Sequence, residues 1–364
     1  MVPRKSMLRF IAFYLPQFHP IKENDEWWGK GFTEWTNAGK ARRRYLGHYQ
    51  PHVPADLGYY DLRVPEVRSA QAELAKSYGI EGFCYYHYWF GDGRRLLERP
   101  FQEVLETAQP EYPFCLCWAN DTWTGIWHGA PKHTLIEQKY PGVQDDQAHF
   151  NVLLPAFRDN RYICVDGKPV LVVWRPFGFP DPMATVKRWR LMAKEAGLPG
   201  LYLIGVFRPG GEQPEDCGFD ASIHNDMPPL RPWGTWKNPV KLAYYALQRK
   251  LGVPTVFPYK KAIDVFLPKK MPETRYPSVI HGWDNTPRSG VNGLVLKDPS
   301  PELFRVALRR AIEITKDRRP ENKIIFLKSW NEWAEGNHLE PDLRDGHAYL
   351  QVVLDEYLNN SVGR

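Results

Sequence analysis

Eight short apolar runs, each breaking off into aromatic, amide, imidazole or carboxylate side chains, leave this chain few ways to fold. They are Arg9–Leu15, Ile80–Phe90, Pro113–Trp118, Lys168–Pro176, Leu201–Phe207, Phe219–Ile223, Ser278–Asn285 and Lys323–Leu327. Rich in β-branched and aromatic residues and bounded by Pro, Gly or polar clusters, they read as strands. Between them apolar residues recur at helix spacing. Val67, Ala70, Leu74 and Tyr78 follow Pro65, and the stretches 101–108, 144–157, 183–196 and 242–251 behave alike. Ser300-Pro301 opens another helix through Phe304, Ala307, Leu308 and Ile312, and Leu350, Val353, Leu354 and Tyr357 mark the last. Strands alternating with helices argue for one parallel sheet. Polar-aromatic tips on apolar bodies argue for its closure into a (β/α)8 TIM barrel, with the site and loop insertions on the C-terminal rim. A doubly wound open sheet needs a Gly-rich first turn, and Tyr14-Leu15-Pro16-Gln17 is not one. The 364 residues suit a single such barrel spanning 1–364, and no linker divides them.

The eighth run delivers the densest chemistry: Lys328-Ser329-Trp330-Asn331-Glu332-Trp333-Ala334-Glu335-Gly336-Asn337-His338-Leu339-Glu340-Pro341. Carboxylates contribute nothing to a core unless paired, whereas Trp offers a flat apolar face with one donor. Glu332 and Glu335 stand three apart, so one turn aims them the same way. Two carboxylates beside aromatic platforms point to sugar chemistry, one acting as acid and the other as base or nucleophile. The other tips supply the candidate cleft lining: Tyr14, His19, Tyr86, His87, Trp89, Trp118, Asn120, Trp283, Asp284 and Asn331. The chain holds 14 Trp and 19 Tyr, more than a core needs, which suits a cleft that stacks on ligand faces.

Other classes fare worse. The net charge of +6 is scattered rather than gathered into a nucleic-acid motif, so nucleic acid is not an expected partner. No HExxH or similarly tight ligand spacing appears, so no metal and no other cofactor is expected. A GxSxG elbow and a GxxxxGK phosphate loop are both missing. The five Cys, at 84, 115, 117, 164 and 217, form no CxxC pair and fit free thiols in a reducing compartment. Met1-Val2-Pro3-Arg4-Lys5-Ser6 leads into no signal-peptide core, and no run reaches membrane-spanning length. A cytoplasmic protein is the expectation, and oligomeric state is not legible.

Several segments together resemble the WbsX-like proteins, related to glycoside hydrolase family 99. They are Phe13-Tyr14-Leu15-Pro16-Gln17-Phe18-His19-Pro20, Gly31-Phe32-Thr33-Glu34-Trp35, Gly82–Phe90, Leu96-Leu97-Glu98-Arg99-Pro100, Cys115–Asn120, Gly282-Trp283-Asp284-Asn285-Thr286-Pro287-Arg288 and Trp330–Gly336. The likeness runs nearly end to end; the tie to family 99 proper rests on the barrel and the Glu-Trp-x-Glu signature. It implies a retaining glycoside hydrolase that works through a 1,2-anhydro sugar, with Glu332 as the base on the sugar 2-OH and Glu335 as the general acid/base. Asp121 stands where these relatives usually carry Glu, and Thr124-Gly125-Ile126 where they are more basic. WbsX-like proteins also occur in surface-polysaccharide gene clusters, which raises a second expectation: a glycosyltransferase of O-antigen, capsule or lipopolysaccharide assembly. That reaction needs a phosphate site, for which Arg175 and Arg288 are the candidates at strand tips. A third reading, a non-catalytic glycan-binding module, keeps the aromatics without needing the two Glu.

Overall fold

Nine parallel strands wind into a nearly closed barrel with helices packed around it. This computed structural model describes residues 8–125, 130–228 and 239–361. The leading segment Met1–Ser6 and Ile126 lie outside the described residues. In chain order the barrel strands are β1 (Arg9–Tyr14), β2 (Gly82–Trp89), β3 (Phe114–Trp118), β4 (Lys168–Val173), β5 (Tyr202–Phe207), β6 (Ala221–His224), β7 (Arg275–Tyr276), β8 (Ser278–Ile280) and β9 (Ile324–Lys328). Around the barrel they run β7-β6-β5-β4-β3-β2-β1-β9-β8, so the first strand meets the last.

The pair β7 and β8 is one strand interrupted at Pro277. Proline has no N–H to give the ladder, and its carbonyl accepts instead from the Phe326 amide at 3.0 Å. β7 pairs with β6 and β8 with β9, so the split strand spans the gap between β6 and β9. This corrects the seventh run in one respect: the barrel ladder stops at Ile280, and His281–Asn285 is rim chain that meets Leu294–Leu296 through the antiparallel bridge of Asp284 with Val295.

Helices Pro65–Ser77, Arg99–Thr107, Val143–Phe157, Pro182–Glu195, Pro239–Lys250, Pro301–Thr315 and Ala348–Ser361 match the periodic stretches. Between β5 and β6 only the single turn Pro214–Cys217 replaces a helix. The insertions build more than the periodicity indicated. Helices Lys22–Trp28, Glu34–Lys40 and Tyr259–Phe266, and a parallel pair Thr255–Pro258 with Leu294–Lys297, cover the rim and flank. Thr33 caps the second of these by accepting from the Trp35 amide at 3.2 Å. That cap fixes Glu34, buried, in the first helical turn.

Strands buried on both faces carry apolar residues at nearly every position, and all eight residues of β2 are buried. Alternation still sorts them. Phe13 points inward, its ring 5.5 Å from Tyr86 and 5.5 Å from Phe326. Tyr14 points outward, against Tyr85 at 4.4 Å and the helix Pro65–Ser77. Among the described residues no helix is long and apolar enough to cross a membrane.

Candidate active site

The chain leaving β9 makes a tight hairpin. Asn331–Glu332 pairs antiparallel with Asn337–His338, and Trp333–Glu335 forms one 3-10 turn between them. With three residues per turn, side chains three apart eclipse, so Glu332 and Glu335 meet on one side. Gly336 ends the turn at φ 55°, and a Cβ there would stand 3.1 Å from the Cβ of Asp284. Glycine takes this left-handed backbone at no steric cost.

A third carboxylate and a guanidinium complete the group. Arg288 Nη1 donates to Glu335 at 2.7 Å and lies 3.8 Å from Glu332. Its Nη2 and Nε reach Glu34 at 2.8 and 3.1 Å. Arg288 sits on the short helix Thr286–Ser289, whose start is held by Asp284 accepting from the Thr286 amide at 2.9 Å. Burial raises the Glu335 carboxyl most; Arg288 opposes that, and the charge of Glu332 and a hydrogen bond with it push it up again, to about 8. The Arg288 guanidinium is held firmly protonated: burial opposes its charge, but Glu34, Glu335 and Glu332 outweigh it.

Aromatic walls surround the pair. Tyr86 and Tyr88, both on the inner face of β2, feel the charge of Glu332. Trp174 stands across Tyr86 with ring centres 5.9 Å apart. Lys328, the last residue of β9, lies 5.0 Å from the Trp174 ring and 5.3 Å from Trp283. Here is an acid, a neighbouring carboxylate and indole faces at the C-terminal rim of a barrel, where such folds place their chemistry.

The family described as "Glycosyltransferase WbsX" matches residues 10–353. The chain belongs to this family. The family's description is that of a carbohydrate-active enzyme. Proteins named WxcX from Xanthomonas campestris pv. campestris, strains B100 and ATCC 33913, are each 39% identical over 357 residues, 97% of this chain. The chain spans about half the length of those relatives, 50%. Among solved structures, a glycoside hydrolase-like protein superposes with TM-score 0.60 at 16% identity, covering 98% of this chain and 96% of that one. A GH99 endo-alpha-mannosidase from Bacteroides thetaiotaomicron superposes with TM-score 0.56 at 15% identity, covering 98% and 99%. These likenesses show a shared fold, the family-99 type of barrel.

Against this WbsX-family frame, the expected lining divides. Tyr86, Glu332 and Glu335 come together, and Trp283 is linked to them through Lys328. Tyr14 does not: its hydroxyl donates to Gln71 at 2.7 Å between barrel and helix. His87 and Trp89 also face outward, because they alternate with Tyr86 and Tyr88. His87 meets His149 at 2.8 Å, and burial drives it down to about 3. Trp89 stacks on the same His149 and donates to Asp145 at 3.0 Å. Trp118 packs beside them on Trp189 and donates to the Trp89 carbonyl. His19 is buried, donating to the Pro16 carbonyl at 3.1 Å. Asn120 clamps the rim, accepting from the Arg175 amide at 2.7 Å and donating to the Arg175 carbonyl at 2.9 Å. Asn331 does the same for the end of β1, exchanging bonds with Leu15 at 2.7 and 3.0 Å. Asp284 is held by His48 at 2.7 Å and Gln50 at 2.6 Å, and its amide donates to the Glu335 carbonyl. Burial raises its carboxyl, but the bonds from His48, Thr286 and Gln50 outweigh that and leave it low. These residues hold the surrounding backbone and side chains in place, and Asn120 also borders a rim cavity with Trp174 and Arg175.

The sequence reading missed Glu34 as a member of the group, and it held Arg288 only for phosphate. The Thr33-Glu34 capping pattern was the available signal for the first. It also left Glu340 without a role. Glu340 is buried, accepting from Trp333 at 2.6 Å, Gln71 at 2.6 Å and Tyr60 at 2.8 Å, and burial lifts it to about 7. Both Glu335 and Glu340 bind their protons more tightly folded than unfolded. The stability they contribute is complete below the ordinary 4.5 and is lost as pH rises through about 7 to 8. The buried histidines act oppositely, since His87 and His338 fall to about 3 and weaken the fold only below the ordinary 6.5. The urea midpoint should therefore fall between about pH 6.5 and 8, and Glu340→Gln should flatten that fall.

Proposed function

We propose that this protein is a retaining glycoside hydrolase acting on a polysaccharide or oligosaccharide through a 1,2-anhydro sugar. The observation that carries the reading is that one short turn brings Glu332 and Glu335 to the same guanidinium, Arg288 Nη1 lying 2.7 Å from Glu335 and 3.8 Å from Glu332, while burial and the charge of Glu332 raise the Glu335 carboxyl to about 8. Ordinary retaining enzymes keep their two carboxyls about 5–5.5 Å apart, and inverting ones about 6.5–9.5 Å. Two carboxyls carried on one turn beside one guanidinium are poorly placed to flank both faces of a ring. They can serve neighbouring oxygens of one sugar ring. Glu332 removes the proton from the 2-OH, O2 closes on C1, and the C1–oxygen bond to the leaving group breaks as Glu335 protonates that oxygen. Water then opens the three-membered ring, giving its proton to Glu335, while Glu332 returns the proton to O2. Two inversions leave the starting configuration. Trp174, Trp283 and Tyr86 offer the apolar faces a pyranose stacks on.

The rival reading, sugar transfer in surface-polysaccharide assembly, draws on the family's description. Its two phosphate candidates are engaged elsewhere: Arg288 by Glu34 and Glu335, and Arg175 by Asp121 at 2.7 Å. The deciding experiment is incubation with α-linked oligosaccharides and bacterial surface glycans, with products read by mass and anomeric NMR. Release of a sugar whose first-formed anomer matches the substrate is the expected outcome. Turnover of a nucleotide sugar with no glycan cleavage would replace hydrolase by transferase.

A further inference from the structure

Behind the Glu332–Glu335 turn lies a second group of side chains that the proposed reaction does not use. His52 Nδ1 faces His338 Nε2 at 2.8 Å, and Asp342 Oδ2 lies 3.8 Å from the same His52 nitrogen. One ligand atom from each of these residues falls within 4.8 Å of the others. They border a cavity of about 90 Å³ shared with His48, Tyr49 and His281.

The position of each is built. The His338 ring donates through Nδ1 to the Glu340 carbonyl at 2.9 Å, because a carbonyl can only accept. In the neutral ring that leaves the Nε2 lone pair aimed at His52. A backbone carbonyl on the far nitrogen is the usual support of a metal-binding imidazole. Asp342 Oδ1 accepts from the Arg344 and Asp345 amides at 3.0 and 2.7 Å, and Oδ2 from the Tyr49 hydroxyl at 3.2 Å. The strand-like pairing of Pro54 with Asp342, with backbone bonds Ala55 to Pro341 and Leu343 to Val53, locks the two segments in register. His338 also stacks flat on Trp333, ring centres 3.7 Å apart, inside the turn that bears the Glu pair.

We propose that His52, His338 and Asp342 bind one divalent transition-metal ion of the zinc class, which ties the segment before Pro54 to the back of the Glu332–Glu335 turn. Two imidazoles and a carboxylate are a zinc donor set, and the cavity leaves room for a fourth, water ligand. Ligands at about 2.0–2.1 Å in a tetrahedron stand about 3.3 Å apart. The two nitrogens need to part by about half an ångström to admit the ion. The three residues are 286 and 4 positions apart in sequence, the first figure between His52 and His338 and the second from there to Asp342. His338 and Asp342 alone are too few to make a motif, and the third donor lies 286 positions away, which is why a search for tight spacings gave none. The inference does not depend on which sugar reaction the rim performs.

The test uses tag-free protein of residues 1–364, stripped with EDTA, dialysed, and titrated calorimetrically with zinc sulfate. One ion per chain should bind, the melting temperature should rise with Zn²⁺ and fall back with EDTA, and Co²⁺ should give the visible absorption of a four- or five-coordinate site. His52→Ala, on a partly exposed loop, should keep the circular dichroism of the parent and lose all three signatures; His52→Gln serves if the alanine variant is unstable. No binding and no thermal shift with either ion overturns the proposal. So does binding that survives unchanged in the His52 variant, which would place the ion elsewhere.

Discussion

Replacing Glu335 with Gln is expected to slow cleavage of natural glycosides by about 10²- to 10⁴-fold, the range set by losing a positioned general acid. Glycan binding should remain measurable, because Gln keeps the volume of the side chain. The same loss is expected for Glu332→Gln, so the two roles are separated by the leaving group. A glycosyl fluoride or dinitrophenyl glycoside departs without needing a proton. On such substrates Glu335→Gln should recover ring closure, whereas Glu332→Gln should stay slow, since the 2-OH still lacks its base. A 2-deoxy substrate should resist the parent enzyme outright. The parent's turnover should also decline above about pH 8, as Glu335 loses the proton that the proposed step requires. Unchanged turnover in Glu335→Gln, or equal recovery of both variants on activated substrates, would remove the assigned acid and base.

That Glu332 and Glu335 could be seen to share one turn from the chain alone, while much of their surroundings could not, has a physical reason. The strand bodies were legible because apolar runs between helix-spaced segments admit few arrangements, and the eight runs became the barrel. Which tip residues face inward was not legible. Tyr85 through Trp89 are buried on both faces, so hydrophobicity does not alternate and the parity of the strand leaves no mark. Hence Tyr86 reached the site while His87 and Trp89 turned to His149. Buried amides carry a structural task that the sequence does not show. Asn120 and Asn331 look like ligands for a sugar, yet each satisfies backbone groups left open where strands end. The pairing of Glu34 with Arg288 spans 254 residues and exists only once the barrel has closed. Pro277 was visible from the start, but its place inside a strand, not before one, depends on β6 and β9 each taking a different half.

The Arg288 and Glu34 pair is where the second large effect is expected, and it carries a sign. Arg288 is shared between Glu34 and the Glu332–Glu335 pair. Take away Glu34 by changing it to Gln, and the guanidinium charge is compensated less. It then holds Glu335 lower, and the alkaline limb of the pH–rate profile should move down by about one unit. Take away Arg288 by changing it to Met, and three buried carboxylates face one another without a cation. Glu335 should rise, moving the limb upward, and the fold should lose about 3–5 kcal/mol, as buried pairs do when one partner is removed. The double variant leaves fewer charges uncompensated than Arg288→Met alone, so it should regain part of that stability. Urea melts and kcat profiles of the three variants check both parts. Limb shifts of the same sign in Glu34→Gln and Arg288→Met would mean that the guanidinium acts on the reaction by some route other than the proton on Glu335. Opposite shifts would make Glu34 the residue that keeps a cation from discharging the acid beside it.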